Sequence, residues 1–87
     1  MQIKIYNSQT NQELQEFDLV AATRATGKCT VGRSANCGLT LDSTDVSRNH
    51  AEFTYRNGQY YFADTGSTNG SLVNNQLAIK QQTYLLK

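Results

Sequence analysis

The chain has no proline in its 87 residues, so no turn rests on a preset φ angle, and reversals of direction fall to glycine and asparagine. It also lacks any apolar run near the ~18 residues a membrane-spanning helix needs. Its polar start, Met1-Gln2-Ile3-Lys4, has no apolar stretch of the kind a signal peptide carries. A cytoplasmic protein with no membrane partner is expected. Cysteine is scarce: Cys29 and Cys37, without metal-ligand spacing or a secretory signal, read as free thiols with no assigned role. No metal site and no cofactor is implied. Without a secretory signal, the glycosylation sequon Asn69-Gly70-Ser71 reads as a chance match. Excess charge is missing too, and a net charge of +1 speaks against a nucleic-acid binder that relies on a broad basic field. Two further absences are local. No acidic residue lies between Asp18 and Asp42, where Arg24, Lys28 and Arg33 fall, and this locally positive stretch suits a small anion. Residues 65–79 carry no charged side chain, which is unusual for a solvent-facing loop.

What is present is the composition of a folded domain: 38% hydrophobic residues, 17% charged, five Tyr and three Phe. The length leaves no room for a second core, so residues 1–87 are expected to form one domain. The apolar residues recur with period two, the signature of strands. Ile3 and Ile5 alternate with Gln2, Lys4 and Tyr6; Leu14, Phe17 and Leu19 mark a second extended segment; residues 29–31 form a third, ending at Gly32; Leu39 and Leu41 mark a short fourth. Residues 51–56 and 59–63 flank Asn57-Gly58, a pair that tolerates the positive φ angles of a two-residue type I′ hairpin turn. Further strands are expected at residues 71–73, 76–78 and 83–86, while residues 11–16 offer a helical stretch too short to stand alone. Many short strands punctuated by Gly, Asn and Ser predict an all-β sandwich or barrel.

Three segments at the ends of these strands carry the chemistry, in positions where loops gather at one end of a sandwich. They are Gly32-Arg33-Ser34, Val46-Ser47-Arg48-Asn49-His50, and the run from Asp64 through Thr65-Gly66-Ser67-Thr68-Asn69-Gly70 to Ser71. Together they offer two guanidinium groups, several hydroxyls, a carboxamide and glycine-bracketed amides, all donors to phosphate oxygens. A phosphate monoester carries nearly two negative charges and three acceptor oxygens, and the planar fork of Arg33 or Arg48 can meet two of those oxygens at once.

The order Gly-Arg, then Ser-Arg-x-His, then Asp-x-Gly-Ser-Thr-Asn-Gly-Ser, with Leu39-x-Leu41-Asp42 between the first two, resembles the forkhead-associated (FHA) domain family over residues 29–74. The resemblance implies a two-sheet β-sandwich of the SMAD/FHA-like type, roughly eleven strands with aligned sheets, whose loops hold an extended phosphothreonine peptide. Arg33 then corresponds to the phosphate-binding arginine, Ser47 to the hydroxyl donor, and Arg48 to the following residue that reaches the same group. Thr68 lines the site, and Asn69 bonds the peptide backbone. His50 is implied as a structural brace of the loops, with Gly32 and Gly70 supplying tight backbone geometry. The family's preference for phosphothreonine over phosphoserine is attributed to a small pocket for the γ-methyl. Asn49 stands where the family often has a basic residue, and Ser71 where Thr is common. After residues 83–86 the family continues with one or two strands, so the expectation is either a sequence cut short or a sandwich that lacks its last strands. The edge left open invites pairing with another copy.

The implied function is a phosphothreonine-reading module in Ser/Thr kinase signalling, whose partner is a kinase substrate and which catalyses nothing. The main alternative is the same fold binding a partner, or another copy of itself, without phosphate. Retention of Arg33, Ser47 and Asn69 leans against it. A hydrolase triad of Ser47, His50 and Asp64 is disfavoured by the absence of a Gly-x-Ser-x-Gly elbow. A nucleotide loop at residues 66–71 is disfavoured by the lack of a Gly-Lys-Ser/Thr ending. Asp45, two residues before Ser47, is expected to disfavour an acidic residue at the third position after the phosphothreonine.

Overall fold

The computed structural model describes residues 1–86. Its strands are β1 (Gln2–Tyr6), β2 (Glu13–Asp18), β3 (Lys28–Gly32), β4 (Leu39–Thr40), β5 (Ala51–Arg56), β6 (Gln59–Asp64), β7 (Leu72–Val73), β8 (Gln76–Leu77) and β9 (Thr83–Leu86), with one helix, α1 (Leu19–Thr23), between β2 and β3. The described residues thus form nine strands, against the roughly eleven implied by the resemblance.

Local chemistry accounts for most of these elements. The β5–β6 hairpin pairs Arg56 with Gln59 across Asn57 and Gly58, whose φ angles are 52° and 80°, as a type I′ turn requires. The same device closes β7–β8, where Asn74 and Asn75 take φ angles of 51° and 66° between the paired Val73 and Gln76. Residues 11–16, read as a possible helical turn, instead run into β2. Leu14 and Phe17 are three residues apart yet both packed against the core, because the β1–β2 register slips: Ile5 faces Gln15 while Tyr6 faces Glu13. Leu14 is the extra residue of that bulge. The helix lies just beyond, at the point where Leu19 was expected to continue a strand. Asp18 caps it by accepting from the Val20 amide at 3.1 Å, and Leu19 at its first turn is fully buried.

One layer is a five-stranded sheet in the order β4-β3-β5-β6-β9, antiparallel except for the β3–β4 pair. The other carries the β1–β2 pair, and β7–β8 forms a separate two-stranded sheet. Cys29, Val31, Ala51 and Phe53 point inward from β3 and β5 to meet Leu19, Leu41 and Val46, with Ile3, Ile5, Leu14 and Phe17 packed against them from β1 and β2. Phe53 makes edge-to-face contacts with Phe17 at 5.5 Å and Phe62 at 5.2 Å between ring centres, a geometry that adds to the burial itself. Cys29 and Cys37 are both buried free thiols, and burial, with Cys37 nearby, pushes the Cys29 thiol up. A solvent-open cleft of about 720 Å³ runs between the layers, lined by Ile3, Ile5, Phe53, Phe62, Leu86 and Leu72 among others. Among the described residues no strand pairs with the outer edge of β9 or joins β1–β2 to β7–β8. No helix of the described residues is long and apolar enough to cross a membrane.

Candidate functional site

The three segments singled out above leave the same end of the five-stranded sheet: one follows β3, one precedes β5 and one follows β6. Backbone hydrogen bonds lace the first two together. The Arg33 amide donates to the Ser47 carbonyl at 3.0 Å, the Ser34 amide to the Arg48 carbonyl at 3.2 Å, and the His50 amide to the Val31 carbonyl at 2.9 Å. Gly32 makes the close approach of the Arg48 carbonyl possible. A Cβ built there would lie 2.0 Å from the Arg48 carbonyl oxygen and 3.0 Å from the Cys37 sulfur, so any side chain would push the Arg48 segment away from the end of β3.

Ser47 is the crossing point of all three segments. Its carbonyl accepts from Arg33, its amide donates to His50 Nδ1 at 3.1 Å, and its Oγ accepts from the Thr68 amide at 2.9 Å. That hydroxyl accepts, and its own hydrogen has no acceptor among the described residues, so it can donate to a ligand. Arg33 is exposed, but its Nε is held by the Val46 carbonyl at 3.1 Å. This anchors the base of the guanidinium and leaves its terminal nitrogens free for an anion. Arg48 is exposed as well, and among the described residues its guanidinium and that of Arg33 form no ion pair. The Thr68 side chain is exposed, and Asn69, also exposed, donates from Nδ2 to the Asp45 carbonyl at 2.9 Å. The structure therefore brings Arg33, Ser47, Thr68 and Asn69 onto one laced set of loops, with Arg48 adjoining Ser47.

The third segment is built around a buried carboxylate. Asp64 is fully buried, and Oδ1 accepts from the amides of Gly66 and Ser67, each at 2.8 Å. Oδ2 accepts from the hydroxyls of Ser67 and Ser71. Burial works to raise this carboxyl, but the bonds from Ser67, Gly66 and Ser71 outweigh it and lower the value from 3.8 to about 2. His50 ties this segment to Ser47. Its Nδ1 accepts, so Nε2 carries the ring proton and donates to the Gly70 carbonyl at 3.0 Å, with Ser71 Oγ 3.1 Å away. Gly70 itself has a φ of 83°. Sequence reasoning assigned no bracing role to Asp64 or Ser67, although an Asp two residues before a Gly is a recognisable signal for a side chain that closes its own turn. It also missed Asn7, whose Nδ2 donates to Asp45 Oδ2 at 2.9 Å.

The same geometry disposes of a triad. Both ring nitrogens of His50 are committed to bonds other than the Ser47 hydroxyl, and His50 Nε2 lies 4.0 Å from an Asp64 oxygen that two hydroxyls already occupy. What remains is a static array of donors, suited to holding an anion and an extended backbone.

Comparison with known proteins agrees with that description. The family profile described as "FHA domain" matches residues 29–87. The chain is 38% identical over 63 residues to the E3 ubiquitin-protein ligase CHFR of Danio rerio, covering 69% of this chain and 10% of that protein. It is 43% identical over 47 residues to the oxoglutarate dehydrogenase inhibitor of Corynebacterium glutamicum, covering 54% and 33%. These curated relatives are therefore much longer than the segment they share with this chain. Among solved structures, the MEK1 FHA domain in complex with a HOP1 phosphothreonine peptide superposes with a TM-score of 0.68 at 26% identity, over 99% of this chain and 80% of that one. The N-terminal FHA domain of Rad53 from S. cerevisiae superposes with a TM-score of 0.67 at 23% identity, over 99% and 73%, and that likeness concerns the fold.

Proposed function

The chain belongs to the FHA domain family, and from that premise we propose that residues 1–87 form one domain that binds phosphothreonine peptides in Ser/Thr kinase signalling. The module is non-catalytic. In this reading Arg33 and Arg48 neutralise the phosphate, Ser47 donates its hydroxyl to it, Thr68 lines the site and Asn69 bonds the peptide backbone. Gly32, His50 and Gly70 hold the loops in place. The partner is a phosphorylated protein of the cytoplasm, not a nucleic acid or a membrane.

The observation that carries this reading is the crossing at Ser47. One residue accepts through its carbonyl from the Arg33 segment and through its hydroxyl from the Thr68 amide, so the three loops that carry the binding residues are tied to one another before any ligand arrives. Such preorganisation removes part of the ordering cost of binding. The 26%-identical MEK1 FHA domain carries a phosphothreonine peptide, which supports transfer of the ligand class.

An NMR titration tests the reading. The domain is titrated with a degenerate phosphothreonine peptide pool, its phosphoserine and unphosphorylated counterparts, and Arg33→Ala as control. Shifts at Arg33, Ser47, Arg48, Thr68 and Asn69 with the phosphothreonine pool alone are expected. A folded spectrum unmoved at about 1 mM matched peptide means binding weaker than about −4 kcal/mol and returns the question to phosphate-independent binding.

A further inference from the structure

We propose that Asn7, at the end of β1, is a positioning residue for the peptide-binding carboxamide of Asn69, acting through Asp45. This rests on the phosphothreonine reading above and extends it to the layer opposite the binding loops.

Asn69 lies on an exposed loop, and the direction of its carboxamide decides what it offers a ligand. Its Nδ2 donates to the Asp45 carbonyl. The flipped amide would set its oxygen against that carbonyl oxygen, so the contact fixes Oδ1 as the free acceptor, with one N–H to spare. An extended peptide needs that pairing, since it presents alternating N–H and C=O groups.

The acceptor that orients Asn69 is itself held from two sides. The Asp45 amide donates to Ser43 Oγ at 3.3 Å, and Asp45 Oδ2 accepts from Asn7 Nδ2 at 2.9 Å. Asn7 is rigid for a separate reason. It closes the turn between β1 and β2: Oδ1 accepts from the Gln9 and Thr10 amides, its own amide donates to the Gln12 carbonyl at 2.8 Å, and its carbonyl accepts from the Asn11 amide at 2.7 Å. The chain of contacts runs from a self-closed turn in one layer, across the sandwich, to the loop that reads the ligand backbone. It also commits the Asp45 carboxylate to Asn7, which answers why an acidic side chain sits among anion-binding loops.

The two ends of the Asn7 side chain make the proposal separable from a merely structural role. Asn7→Asp keeps the oxygen that caps the turn and replaces the Nδ2 donor by an anion facing Asp45. Adding Asp45→Asn restores the bond in the reverse direction. In the ligand-free domain, the Asn69 side-chain amide resonances are expected to shift in Asn7→Asp and return in the Asn7→Asp/Asp45→Asn pair. Affinity for a fluorescein-labelled degenerate phosphothreonine pool, measured by anisotropy, is expected to fall about threefold to tenfold in Asn7→Asp at unchanged Tm. It is expected to recover in the pair, and not to fall further when Asn7→Asp is added to Asn69→Ala. Unmoved Asn69 resonances, or an equal loss of affinity in the Asn69→Ala background, overturns the proposal. If the wild type fails to bind the pool, or Arg33→Ala binds it equally, the phosphothreonine reading falls. The Asn69 resonances then still decide whether Asn7 orients that carboxamide.

Discussion

At the scale of single residues, an anchored but unpaired guanidinium predicts loss of affinity without loss of fold. Among the described residues, Arg33→Ala removes from the free protein the one hydrogen bond from Nε to Val46, while forfeiting charge-assisted bonds to phosphate worth about 1.5 to 3 kcal/mol. Binding is expected to weaken by about 2 kcal/mol, roughly thirtyfold, with an unchanged melting curve; a calorimetric titration reads it, and an unaltered Kd removes Arg33 from the site. Asp64 predicts the opposite: a stability effect visible in pH. Its carboxyl is lowered in the fold from 3.8 to about 2, so the unfolded chain binds its proton first on acidification. The contribution is fully present above the unfolded value and is lost as pH falls through the folded one, over a window of about pH 4 to 2. Its size is about 2 kcal/mol. Urea melts across that window are expected to show a slope in the wild type that Asp64→Asn lacks; parallel slopes would mean that Ser67, Gly66 and Ser71 do not favour the ionised form. Gly32→Ala must displace the Arg48 carbonyl, and is expected to reduce both melting temperature and phosphopeptide affinity, in contrast to Arg33→Ala.

Among the elements, the stacking of β1–β2 on the five-stranded sheet rests on few large side chains, and Phe17 is the main one from β2. Phe17→Ala removes its edge contact with Phe53 and is expected to cost about 2 to 3 kcal/mol, read as a lower urea midpoint at constant slope. A drop below 1 kcal/mol would show the layer held on the sheet by Ile3, Ile5 and Leu14 instead. This element also marks where the sequence stopped being readable. Alternation exposed β1, and Asn57-Gly58 exposed the turn of the β5–β6 hairpin to the residue, because both signals are local. Leu14 and Phe17 lie on an extended segment as expected, but the bulge that turns both toward the core leaves no local signal, and residues 11–16 offer a helical turn that the structure does not form. The real helix, five residues long, was not anticipated, because Leu19 reads as the continuation of a strand. In the site, the residue types that can donate to phosphate were visible in three segments, whereas the bonds that organise them were not. Asp64 to Ser71 spans seven positions and Asn7 to Asp45 spans 38, and no local pattern reports a contact made only by the fold.

For the whole molecule, those long-range contacts decide how far binding energy spreads. The loops are not a flap on a finished core: His50 joins β5 to the Gly70 segment, and Asp64 at the end of β6 carries Ser67 and Ser71. Melting the site therefore means breaking the ends of the central strands, and a ligand held by the site opposes global unfolding. A domain of this size starts from modest stability, and its open cleft between the layers leaves apolar surface in water. Mass action from a matched phosphothreonine peptide at a hundredfold its Kd adds about 2.7 kcal/mol, which for a domain of this length corresponds to a rise in Tm of roughly 10 to 20 °C. Differential scanning fluorimetry is expected to show that rise for the wild type and its near absence for Arg33→Ala or the unphosphorylated peptide. A rise of equal size with the bare peptide would show binding that does not depend on phosphate and would take the loops around Ser47 out of the role of phosphate reader. A confirmed affinity without any rise would show that the loops unfold independently of the strands they terminate.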